Sequence, residues 1–73
     1  MSIARITEIS STSRESFEDA IRQGVSRATR TLRNVRSAWI KEQTVRVEDG
    51  RITEFQVNLM ITFVLEDAGG DVA

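Results

Sequence analysis

The side chains able to do chemistry in this 73-residue sequence are carboxylates, arginines, amides, hydroxyls, one lysine and one tryptophan, because His and Cys are both absent. Without them there is no imidazole base, no Ser/His or Cys/His nucleophile, and no zinc site built on those ligands. No Gly-rich phosphate loop and no metal triad appears either. The catalytic and metal sets are therefore read as empty. Glu42 is the remaining carboxylate that could serve as a general acid if buried, and on the register derived below it falls on the helix side, near Arg46. Glu42, Glu48, Asp49 and Glu54 could ligate a cation around a symmetry axis. They lack calcium-loop spacing, and surface solubility explains them more simply. Arg27, Arg30 and Arg33 are read as a solvated helix end rather than a phosphate clamp.

The charge balance narrows the partners. Ten Lys and Arg against eleven Asp and Glu give a net charge of −1, which lacks the electrostatic attraction a duplex-binding protein needs. No apolar run approaches the roughly 20 residues of a membrane helix, and the first turns hold Arg5 and Glu8 instead of a signal-like stretch. The expectation is a cytoplasmic protein with neither nucleic-acid nor membrane partner.

The elements that position these side chains follow from periodicity. Residues 3 to 10 are rich in β-branched types and lead into Ser10-Ser11-Thr12-Ser13, which offers several helix N-caps. Thr12 with Glu15 would form a capping box, and Ser13 is an alternative N-cap. Phe17, Ala20, Ile21, Gly24, Val25, Ala28 and Leu32 then trace an apolar stripe on a helix from about residue 14 to about 33. Glu15, Glu18 and Asp19 near its start and the arginines near its end suit the helix dipole.

The second half alternates with period two. Phe55, Val57, Leu59, Ile61, Phe63 and Leu65 share one side of a strand and must cover the helix stripe. Asp49-Gly50 signals a hairpin joining antiparallel strands of about 37 to 48 and 51 to 66. A two-residue loop makes Ala38 face Ile61 and Ile40 face Leu59, and sets Gln43 opposite Gln56; an added bulge would shift this register. The other sheet face then collects Trp39, Lys41, Gln43 and Val45 with Glu54, Gln56, Asn58, Met60 and Thr62. That mixture is too apolar for plain solvent and too polar for a monomer core. It is expected to pack against further copies of the chain and enclose a site between them, which also compensates for the small core of a chain this short. On the residues alone, Trp39 is read as an interface filler ahead of a ligand stack.

Several short words at fixed spacing carry a resemblance. They are Thr12-Ser13 before the helix, Thr31-Leu32-Arg33-Asn34 at its end, Lys41-Glu42, Glu48-Asp49-Gly50, Phe55-Gln56-Val57 and Phe63-Val64-Leu65-Glu66. Together, over about residues 5 to 66, they resemble the dodecin family. The resemblance implies an α+β fold, a βαββ protomer whose three-stranded antiparallel sheet wraps one helix, and assembly into a hollow homododecamer. On the residues themselves the chain is one domain over residues 1–66, and residues 67–73, which hold Gly69-Gly70 and no periodic pattern, are expected to form a flexible tail. Flavin-binding members hold paired isoalloxazine rings between subunits, stacked on a Trp early in the second strand and bonded by a Gln in the third.

Gln56 occupies the place of that Gln, but the place of the stacking Trp is taken by Ser37. Trp39 lies two residues further on, about 6.6 Å along the strand and on the same face. Ser37, Trp39, Lys41 and Gln56 are thus the candidate cofactor-binding residues for a flavin, FMN or riboflavin, held without catalysis. Loss of a stacking aromatic is worth two to three powers of ten in affinity, from about 1 kcal/mol of ring geometry and about 2.5 kcal/mol of contact area. An assembly without flavin, serving as a scaffold or holding coenzyme A or a metal ion, is the alternative.

Overall fold

The computed structural model describes residues 3–65. The expected C-terminal tail, 67–73, lies outside them. The order is β1 (Ala4–Ser13), α1 (Phe17–Thr31), β2 (Val35–Glu48) and β3 (Arg51–Val64). One antiparallel sheet is formed with strand order β1-β3-β2. The fold is thus the expected α+β, βαββ arrangement, with β3 at the centre of the sheet.

The core lies between α1 and one face of β3. Val57, Leu59 and Ile61 are fully buried, and Ala20, Gly24 and Ala28 are the buried positions of the helix. The helix stripe therefore works by smallness: three residues without bulk let the backbone approach the sheet, while Phe17, Ile21, Val25 and Leu32 pack around the margin. Gly24 marks the closest approach. A Cβ built there would stand 2.9 Å from Leu59 Cδ1 and 3.1 Å from Ser11 Cβ. Phe17 and Phe55 close one end of the core edge to face, with ring centroids 5.1 Å apart.

The helix starts with its apolar stripe, at Phe17, and later than the Thr12 and Ser13 cap signals suggest. Ser11, Thr12 and Ser13 extend β1 by pairing with Val57, Gln56 and Phe55 of β3, so neither the capping box of Thr12 nor an N-cap at Ser13 forms. The N-cap is Ser16, extended at φ −171° and ψ 165°, whose Oγ accepts the Asp19 N–H at 2.9 Å. Ser13 instead builds the turn ahead of the cap: its Oγ accepts the Glu15 N–H and donates to Asp19 Oδ2. Ser11 ties strand to helix, donating from Oγ to the Ala20 carbonyl at 2.7 Å.

Asp49 (φ 54°) and Gly50 (φ 75°) both sit in the left-handed region, which is the signature of a two-residue type I′ hairpin turn. Near the turn and near Ala38 the simple register holds, with Glu48 facing Arg51, Ile40 facing Leu59 and Ala38 facing Ile61. Between them it slips by one residue. Irregularities at Ile40/Glu42 and Arg46/Val47 set Glu42 opposite Asn58, Thr44 opposite Gln56 and Arg46 opposite Glu54. Gln43 faces Val57, not Gln56, and Val45 faces Phe55 on the helix side. Each change follows from the period of two: one extra residue exchanges the faces of everything up to the next irregularity.

The β2–β3 hairpin runs well past the helix. The radius of gyration is 15.4 Å, against about 11 Å for a compact chain of this length. The long axis measures 57 Å and the shorter ones 18 and 13 Å. Val47 and Ile52 remain exposed along this arm, and Ile40 is exposed on the edge strand opposite Leu59.

Candidate functional site

Strand parity builds the site. The odd positions of β3 meet the helix, so its even positions, Glu54, Gln56, Asn58, Met60 and Thr62, emerge on the opposite face, where each is half-buried. β1 adds Ile6, Glu8, Ser10 and Thr12 to that face, opposite Thr62, Met60, Asn58 and Gln56. β2 adds Ser37 opposite Thr62 and Trp39 opposite Met60, then, past the irregularity, Glu42, Thr44 and Arg46.

Trp39 and Gln56 therefore share one face, separated by the four steps along β3 from Gln56 to Met60, the partner of Trp39, or about 13 Å. Trp39 is 48% exposed, a large apolar ring that no element among the described residues covers. Ser37 is exposed next to it. Lys41 is the residue skipped by the register slip, and its Nζ reaches across β3 to Glu8 Oε1 at 3.4 Å. Both members of that pair are solvated, so it contributes no more than about 1 kcal/mol.

Around Gln56 lies a polar network that sequence reasoning missed. Gln56 Nε2 donates to Ser10 Oγ at 3.0 Å and to Asn58 Oδ1 at 3.4 Å. Asn58 Nδ2 in turn donates to Glu42 Oε1 at 3.2 Å. Glu42, expected on the helix side beside Arg46, is instead on the open face as the end of this chain. Arg46 pairs with Glu54 at 3.8 Å. The signal for Ser10 was its even spacing from Thr12 and Glu8; nothing in the sequence announces the slip that brings Glu42 to Asn58.

A separate groove of about 490 Å³ runs between β1 and α1, lined by Ile9, Ser11, Gly24, Arg27, Ala28 and Leu32. It contains neither Trp39 nor Gln56. Among the described residues no group of three or more Asp or Glu comes together to hold a metal ion, and no helix is long and apolar enough to cross a membrane.

Fold and site define a class: a small protein with one covered sheet face, one open face bearing an aromatic and a polar network, and a core too small for its length. Comparison with known proteins fits that class. The family model for Dodecin matches residues 3–66, and the chain belongs to the dodecin family. Among solved structures it is similar to the dodecin of Streptomyces davaonensis, with 35% identity, 90% of this chain and 97% of that one covered, and a TM-score of 0.85. A variant of the Thermus thermophilus dodecin gives 31% identity, 92% and 100% coverage, and a TM-score of 0.86. Calcium dodecin from Mycobacterium tuberculosis, a calcium-chelating protein with a calcium-binding site, gives 27% identity, 90% and 94% coverage, and a TM-score of 0.76. A search of curated protein sequences gave no match. Family and fold together support a small, oligomeric ligand-binding protein.

Proposed function

We propose that this chain assembles into a homododecamer and binds a flavin, riboflavin or FMN, between subunits on the open sheet face, as a non-catalytic cytoplasmic store. The observation that carries the reading is that Gln56 and Trp39 share that face and that no element among the described residues covers it. The donor set fits the ligand: an isoalloxazine ring needs a flat aromatic partner and a polar partner for its imide edge, and Trp39 and Gln56 are of those two types. A bound flavin would supply redox and light-absorbing chemistry. The residues of this chain would only stack on the ring, orient it and exclude water from it.

The experiment is a titration of riboflavin and of FMN with the purified assembly, followed by flavin fluorescence. Quenching that saturates is the expected result. Unchanged fluorescence at tens of micromolar protein would remove the flavin from the proposal.

A second reading is favoured by Ser37, which leaves the stacking place of flavin-binding relatives without an aromatic, and by the similarity to calcium dodecin. In that reading the shell is a scaffold or holds coenzyme A or a metal ion. Mass spectrometry of the protein as purified separates the two, since a flavin mass supports the first and a metal or coenzyme A mass the second.

A further inference from the structure

An amide side chain is ambiguous as a recognition element, because its two ends are opposite in hydrogen-bonding sense and nearly equal in shape. In this protein the ambiguity is removed by a charge two side chains away. A carboxylate only accepts, so Glu42 Oε1 requires the NH₂ end of Asn58, which lies 3.2 Å from it. That turns Asn58 Oδ1 toward Gln56 and requires the NH₂ end of Gln56 in return. The second hydrogen of the same NH₂ goes to Ser10 Oγ. Both donors of Gln56 are then used within the protomer. Its carbonyl oxygen accepts nothing among the described residues, and Ser10, whose oxygen already accepts, keeps its O–H to give.

We infer that Glu42, acting through Asn58, orients Gln56 so that only its carbonyl oxygen meets the ligand, and that Ser10 is the hydroxyl donor beside it. The pair presents an acceptor next to a donor, complementary to a ring imide, whose N–H adjoins a C=O. This inference rests on the flavin reading above and deepens it. Glu42 and Asn58 are positioning residues that need not touch the ligand, whereas Ser10 and Gln56 do.

The test compares riboflavin with 3-methylriboflavin, which lacks the imide N–H, by fluorescence titration of the assembled protein. In the wild-type protein methylation weakens binding by about tenfold or more, because an acceptor is left facing a methyl group. In Glu42→Gln, where position 42 can donate as well as accept, the direction of the chain is no longer fixed and the methylation penalty falls to about threefold or less. Ser10→Ala weakens both flavins alike. A general structural defect would lower both affinities without changing their ratio. Equal binding of the two flavins by the wild-type protein overturns the inference.

Neutron diffraction from unliganded crystals reads the orientation without any ligand. Deuterons on Gln56 Nε2 directed at Ser10 and Asn58 are expected, and the reversed amide overturns the inference. Should neither flavin bind, the flavin reading falls and takes the imide partner with it, while the neutron map still decides the orientation of Gln56.

Discussion

On the flavin proposal, Ser37 and Trp39 amount to an exchange within one strand: the resemblance calls for a ring at position 37, where this chain has a hydroxymethyl, and its own ring stands two residues further along the same face. Gln56 and Trp39 were legible in the sequence as a shared face because a strand alternates strictly, and both lie in stretches where the pattern is unbroken. Ser37→Trp is expected to tighten flavin binding by about two orders of magnitude, from restored stacking and ring burial. Fluorescence titration measures it, and an unchanged affinity would mean that Trp39 already supplies the stack. The network around Gln56 was not legible, because it depends on which residue of β2 lies opposite Asn58. One residue skipped at Lys41 decides that, and neither composition nor spacing encodes the skip.

At the scale of elements, the strands, the turn and the helix stripe were readable, since each is a local pattern of apolar spacing or turn chemistry. The helix start was not. Thr12, Ser13 and Ser16 are all competent N-caps, and the choice among them is tertiary: β3 is long enough to keep Ser11 to Ser13 in the sheet, which hands the cap to Ser16. Ser16→Ala should cost about 1 kcal/mol of stability. Gly24→Ala should cost about 1 to 3 kcal/mol through overpacking against Leu59 and Ser11, despite the better helix propensity of Ala. Gly50→Ala meets nothing within 4 Å, so it should cost only the backbone strain of its positive φ, about 1 kcal/mol. Urea denaturation at one fixed protein concentration ranks the three, and a Gly24→Ala protein as stable as the wild type would contradict the close helix-sheet contact. The concentration must be fixed because assembly adds to apparent stability.

At the scale of the molecule, the radius of gyration is about 1.4 times that of a compact domain of this length, the overhanging arm exposes Val47 and Ile52, and the edge strand exposes Ile40. Burial of apolar surface at about 25 cal/mol per Å² is the force that stabilises small folds, and a chain with Val57, Leu59 and Ile61 as its large buried side chains has little of it in isolation. Light scattering should therefore report a particle many times the 8.2 kDa chain mass, with a melting temperature that rises with protein concentration. A folded monomer in dilute buffer would refute the shell.

The parity of β3 reaches beyond any one ligand. Its odd residues answer to the helix and its even residues to whatever lies past the sheet, so mutation can rewrite one set while the other stays under its own constraint. A lineage built this way can change its guest by drifting on alternate positions, with no need to find a new interior each time.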